Sequence, residues 1–175
     1  MTRFESISNM AVIVVAGCVL VFTAYNRFTP RVPNFSAELA RQFIGKPLEF
    51  APVNTDTQGA VALFLSKDCH FCSDSMDFYH RLATLGSGPS CEIGLVAVGP
   101  RNRESRQDIE EYLAKHQLNV NRTVMVNYSD LGVAGTPTLM LLDRSGVVRG
   151  VWTGYLQETA QEDVVRKARA FCPAS

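Results

Sequence analysis

The sequence predicts an α/β domain, a central mixed sheet flanked by helices, behind an N-terminal transmembrane helix. Three observations carry that expectation. The stretch Ser6–Asn26, "SISNMAVIVVAGCVLVFTAYN", holds no charged residue and is mostly aliphatic between Met10 and Ala24. From Ala60 onward, short continuous apolar runs alternate with amphipathic segments, strand then helix and again strand then helix, the pattern of a βαβα unit with parallel strands. Further on, "TLMLLD" and "VVRGVW" flank the turn residues Arg144, Ser145 and Gly146, which predicts an antiparallel hairpin.

The N-terminal run has the length of one membrane span, since crossing the hydrocarbon takes roughly 20 helical residues. Residues 7–25 are therefore expected in the lipid bilayer. A buried core helix would show a polar stripe or a neighbouring helix to pack on, and neither is visible. A cleaved signal peptide would end its apolar core earlier, whereas Val19–Phe22 prolongs it. "VAGC" at Val15–Cys18 resembles a bacterial lipoprotein processing box, but the apolar run continues past Cys18. Arg3 precedes the span while Arg27, Arg31 and Arg41 follow it, which on charge counting alone favours a cytoplasmic domain.

The anchor is thus drawn at residues 1–26, a linker at 27–59 and the α/β domain at 60–175. Pro30, Pro33, Pro47 and Pro52 break regular structure across the linker. One short helix interrupts it, with Ser36 as N-cap, Leu39, Phe43 and Ile44 as an apolar patch, and Gly45 as the stop. Seventeen basic residues balance seventeen acidic ones without a dense Lys/Arg cluster, so no nucleic-acid partner is expected.

Within the domain, "AVALFLS" (Ala60–Ser66) reads as a fully buried strand, and Ser73–Leu85 as a helix with Met76, Tyr79 and Ala83 on its apolar side. After a loop containing Gly86, Gly88 and Pro89 comes a second buried strand, Glu92–Val98. A helix from Arg106 to His116 follows, with Ile109, Tyr112 and Leu113 on one face. "TVMVN" (Thr123–Asn127) reads as a short edge segment. The hairpin then leads into a closing helix, Glu158–Phe171.

Between the first strand and its helix lie Cys69 and Cys72, spaced Cys-His-Phe-Cys. A lone CxxC fits a redox couple, a metal clip or chance. A structural zinc site needs about four ligands, and the remaining donors, His80, His116, Cys91 and Cys172, show no second paired spacing. No resident metal or other cofactor is expected.

The order strand, CxxC helix, strand, helix, Pro-led hairpin, helix resembles the thioredoxin fold over Ala60 to about Phe171. Two pieces carry the likeness: Cys69-His70-Phe71-Cys72, and "GVAGTPTLMLLDRSGVV", in which Thr136-Pro137 opens the next strand. The resemblance implies a cis proline beside the CxxC and a substrate-binding role for Thr136 and Pro137, whose backbone would pair with an incoming peptide. An X-Pro bond is the one peptide bond at which cis costs little, and a strand start tolerates proline. Cys69, at a helix N-terminus whose free N–H groups favour a thiolate, is the expected nucleophile. Cys72, one turn deeper, is expected to resolve the mixed disulfide. His70 is a candidate for stabilising the thiolate, against the plainer reading of a solvated helix-start histidine. Phe71 is a candidate apolar contact for substrate.

Thioredoxins mostly carry Trp just before the first cysteine, and here Lys67 and Asp68 occupy that approach. Asp68 is placed to cap the helix, with a charge that opposes thiolate formation at Cys69. The overall form is similar to the membrane-tethered bacterial thioredoxins that face the periplasm. That implies a single-pass inner-membrane protein acting on the thiols or disulfides of exported proteins, and a membrane redox partner that resets the couple. In the implied topology Cys91 and Cys172 fall at the end of the sheet opposite the CxxC. A structural disulfide there, across about 80 residues, would contribute roughly 4 kcal/mol by chain entropy; two unrelated thiols are the alternative. Two further readings stand beside the oxidoreductase. One is a thioredoxin-like copper-delivery protein using Cys69, Cys72 and a His, although such carriers space their cysteines wider. The other is a redox-inactive, membrane-tethered interaction module. A peroxiredoxin would need Thr and Pro upstream of a lone cysteine, which Ser66-Lys67-Asp68 does not supply.

Overall fold

The computed structural model describes residues 15–20, 35–50, 57–85 and 91–172. At its centre is β1 (Gly59–Phe64), whose six residues are all buried. Burial on both faces explains why the sequence here is a continuous apolar run rather than an alternation. β2 (Ile93–Pro100) lies parallel to β1, from Gly59 opposite Ile93 to Phe64 opposite Val98. β3 (Arg122–Val126) lies parallel to β2 at one edge, so the expected short edge segment is a full strand paired from Val96–Arg122 to Pro100–Val126. On the other side of β1 runs β4 (Thr138–Asp143), antiparallel, followed by β5 (Val148–Thr153). The sheet order is β3-β2-β1-β4-β5.

Side chains alternate across a strand, and β1 shows the consequence. Val61, Leu63 and Leu65 enter one core with Tyr79, Leu82, Ile109, Leu113 and Val164. Ala60, Ala62 and Phe64 enter the other with Leu39, Phe43, Leu48, Met140 and Val151. Helices therefore cover both faces. α1 (Phe35–Phe43) serves the second face. The first is served by α2 (His70–Asp74), α3 (Met76–Thr84), α4 (Arg106–Lys115) and α6 (Glu158–Arg169), and a single turn, α5 (Tyr128–Leu131), follows β3.

Two compact units divide the chain, Met1–Asn34 and Phe35–Ser175. The segment drawn as a linker up to residue 59 thus contributes its helix to the folded unit, because Leu39 and Phe43 are 3% and 6% exposed in the core. Ile44, expected in the same patch, is 51% exposed instead. Ser36 falls inside the first turn rather than at the cap. Gly45, at φ +85°, does end the helix, and its N–H donates to the Val148 carbonyl at 2.9 Å. Leu48 N–H then bonds Gly146 O at 3.0 Å, so the segment runs along the tip of the β4–β5 hairpin. Within the first unit, residues 15–20 are helical. The rest of the expected span at 7–25 lies outside the described residues. Among the described residues no helix is long and apolar enough to cross a membrane.

The predicted helix Ser73–Leu85 is two helices that begin three residues earlier and break at Ser75 (φ −91°, ψ 3°). Its hydroxyl donates back to the Phe71 carbonyl at 2.7 Å, the local side-chain bond by which serine competes with a helix. That break sets α2 apart as a short element carrying the CxxC.

Candidate functional site

Cys69 is the N-cap of α2: its Sγ accepts the Cys72 N–H at 3.1 Å. Asp68, expected at that position, does not cap the helix. The cap is formed by the sulfur itself, so the donor that closes the first turn is also one that would stabilise a thiolate on Cys69. Cys69 and Cys72 are joined as a disulfide with Cα atoms 5.2 Å apart. Cys72 is fully buried and Cys69 only partly so. An incoming partner therefore meets Cys69 first.

Cys69 borders a groove of about 440 Å³ with Ser66, Asp68, Arg103, Gly135 and Thr136 along its walls. Thr136, predicted from the motif, and Cys69 thus share one surface. The Thr136–Pro137 peptide is cis. Pro137 is held from both directions, its carbonyl accepting Gly154 N–H at 2.7 Å while the next residue, Thr138, bonds Gly135 O through Oγ1 at 2.8 Å. Phe71 is 54% exposed beside the CxxC, and its ring centroid lies 5.9 Å from that of His70. His70 points to solvent and meets Asp74 at 3.2 Å, one turn along the helix. The single Trp, Trp152, packs under Lys167, whose Nζ lies 5.1 Å from the ring.

Sequence reasoning missed the polar support beneath the approach to Cys69. Glu104, between β2 and α4, accepts the Ser66 hydroxyl on one oxygen and the Lys67 N–H, at 3.2 Å, on the other. Lys67 Nζ reaches Asp108 at 2.5 Å. That bond holds the Lys67 pKa up, and it is also the first cause that holds the Asp108 carboxyl below the usual carboxylate range, helped by Ser105. Ser105 and Asp108 form a reciprocal capping box at the start of α4. Tyr128 places its hydroxyl 2.8 Å from the Leu65 carbonyl at the end of β1, and burial pushes its pKa up. In "RNRESRQD" only the capping box is a readable signal; nothing in that polar run marks one carboxylate as buried.

At the opposite end of the sheet Cys91 and Cys172 are joined as a disulfide, their Cα atoms 5.3 Å apart across 81 positions of sequence. His80 turns its Nε2 to the His116 carbonyl at 3.0 Å. Among the described residues no group of three or more His, Cys, Asp or Glu is placed to hold a metal ion.

No protein-family model and no curated protein matches the chain. Solved structures do. A thiol-disulfide isomerase from Corynebacterium glutamicum superposes with a TM-score of 0.54 at 10% identity, over 72% of this chain and 92% of its own. A protein from Chlorobium tepidum described as the thiol:disulfide interchange protein DsbE gives 0.53 at 20%, over 71% and 89%. A secreted Mycobacterium tuberculosis disulfide oxidoreductase, homologous to E. coli DsbE, gives 0.50 at 14%, over 65% and 81%. These neighbours are thiol:disulfide oxidoreductases of thioredoxin type. The fold of this chain is accordingly thioredoxin-like, mixed α/β with a central sheet flanked by helices, and it carries a Cys69–Cys72 pair.

Proposed function

We propose that the chain is a thiol:disulfide oxidoreductase that acts on exported proteins through the Cys69–Cys72 couple. The observation that carries this reading is the asymmetry of the pair: Cys69 at the rim of a groove with its sulfur accepting an amide, Cys72 buried one turn deeper. Acting as a reductant, the Cys69 thiolate attacks one sulfur of a substrate disulfide, and the other substrate sulfur leaves as a thiolate. Cys72, deprotonated, then attacks Cys69 of the mixed disulfide and releases the second substrate thiol. The substrate gains two electrons and the enzyme is left as the disulfide; oxidation is the same sequence reversed. Thr136 and Pro137 line up the substrate backbone, Phe71 offers an apolar contact, and His70 acts at the helix start.

The same proposal places residues 7–25 in the bacterial inner membrane, with the folded unit in the periplasm and a membrane redox partner resetting the couple. Support comes from the pairing of Cys91 with Cys172, since such bonds persist in oxidising compartments. The arginine count leans the other way, so a membrane-impermeant thiol reagent on intact cells is the topology test. Labelling of reduced Cys69 only after lysis would put the domain inside. For the chemistry, a Cys72→Ser variant is expected to accumulate mixed disulfides through Cys69 with exported proteins. An absence of any Cys69-linked adduct in cells that make the variant would sink the oxidoreductase reading.

A further inference from the structure

Among the described residues Glu104 is the only charged residue that is buried, 7% exposed. Burying a carboxylate costs several kcal/mol unless it is well paired, and the partners here are neutral: a serine hydroxyl and a backbone amide. The Lys67 ammonium feels the Glu104 charge but spends its hydrogen bond on Asp108. Packing or fold stability alone would be served as well by a neutral side chain at this position.

What Glu104 holds is the turn that ends in the nucleophile. Ser66 is the hub. Its carbonyl accepts Cys69 N–H at 3.1 Å, and its hydroxyl accepts Asp68 N–H at 3.4 Å while donating to Glu104. Lys67 N–H completes the attachment. Glu104 itself is fixed, because its own N–H donates to Pro100 O at 3.0 Å and the next residue caps α4. A rigid platform at the end of β2 thus grips the turn in which Lys67 and Asp68 replace the aromatic approach of the thioredoxins, and Arg103 of the same loop lines the groove.

We propose that Glu104 is the positioning residue of the nucleophile, its buried carboxylate holding the Ser66–Cys69 turn and thereby setting the balance between the dithiol and disulfide forms of the couple. The inference rests on the thiol–disulfide chemistry proposed above. Two effects act in one direction. The held turn keeps Cys69 over Cys72 and favours ring closure, as preorganised groups do. A negative charge held against Ser66 and Lys67, three and two residues before Cys69, disfavours the thiolate and so the reduced form. The other titratable groups around Glu104 are Lys67, Tyr112 and Tyr128. Asp68 and His70 flank Cys69 in the chain, and Arg103 lines the same groove.

The test uses the purified full chain in detergent, equilibrated across a glutathione redox series, with the pH profile of Cys69 alkylation and the melting temperature measured alongside. Glu104→Gln is expected to shift the equilibrium about three- to tenfold toward the dithiol and to move the alkylation profile to lower pH. Ser66→Ala, which removes the hydroxyl link between turn and carboxylate but leaves the Lys67 N–H bond and the charge, is expected to shift the equilibrium the same way without lowering the profile. An unchanged equilibrium in both variants, or a shift toward the disulfide, overturns the inference even if the melting temperature falls. Should Glu104→Gln fail to fold, Ser66→Ala carries the test alone. A parent protein that never exchanges with glutathione would instead overturn the oxidoreductase reading.

Discussion

The two ends of the sheet each carry a disulfide, and the Cα separations are nearly the same, 5.2 Å at Cys69–Cys72 and 5.3 Å at Cys91–Cys172. What differs is everything around the bonds. Cys69 and Cys72 are three residues apart in the chain, so their short loop holds roughly half or less of the chain-entropy stabilisation of a long one, and the amide on Cys69 Sγ favours the thiolate that results on opening. Cys91 and Cys172 lie 81 apart and tie the end of α6 to the start of β2. The same covalent bond is thus proposed as a reagent at one end and a staple at the other. Loop length and the groups facing the sulfur make the distinction, not the bond's span.

The largest expected effect breaks the first end. Cys69→Ser is expected to abolish thiol–disulfide exchange, read as loss of cycling in alkylation counts across a glutathione series, with the melting curve close to that of the parent. If Cys72 alone still cycles with glutathione as the pair did, Cys69 is not the nucleophile. Cutting the other end should do the reverse. Replacing both Cys91 and Cys172 with Ala is expected to lower unfolding stability by about 4 kcal/mol in urea while exchange at Cys69 continues. Lost exchange together with an unchanged urea midpoint would reverse the roles assigned here.

A smaller effect sharpens the staple. Gly59 starts β1 at that end, where an added Cβ would lie 2.6 Å from both the Leu142 carbonyl and the Phe171 ring. Gly59→Ala therefore pushes against backbone and against the residue before Cys172. The expected cost is about 1–3 kcal/mol, the usual range for overpacking, and faster reduction of Cys91–Cys172 by dithiothreitol. A variant as stable as its parent would show that this end can yield.

The smallest effect concerns Lys67–Asp108 beside the CxxC, a pair whose side chains are 40% and 33% exposed. Asp108 is depressed from 3.8, so its contribution is complete above that value and is lost as pH falls through the lowered one. Lys67 is raised from 10.5, so its part is complete below that value and is lost as pH climbs through the raised one. Asp108→Asn should accordingly lower the melting temperature slightly at neutral pH, and the gap to the parent should close in strong acid. A gap that is constant with pH would show that Asp108 does not act through its charge.

Much of this was legible in the chain because the signals are local. Continuous apolar runs placed β1, β2 and β4, and Arg144, Ser145 and Gly146 announced the hairpin turn, where Gly146 takes φ +77°. The spacing of Cys69 and Cys72 and the Thr136-Pro137 strand start depend on neighbours in sequence and were read directly. The break at Ser75 was not, since "SDSMDF" is compatible with an unbroken helix and only the bond to Phe71 O decides otherwise.

By itself, then, the order of residues determined the alternation of strands and helices, the thiol pair and the proline that opens β4, since each follows from periodicity or from adjacency along the backbone. The tertiary structure alone decided that α1 belongs to the folded unit, that Ile44 faces outward, and that the sulfur of Cys69 rather than Asp68 caps its helix. It alone brought Glu104 under Ser66, 38 positions away in the chain. A carboxylate in a polar loop has the same sequence signature whether it meets water or a buried hydroxyl. Which of the two it meets depends on where β2 ends relative to β1, and that registry is set by packing across the whole sheet.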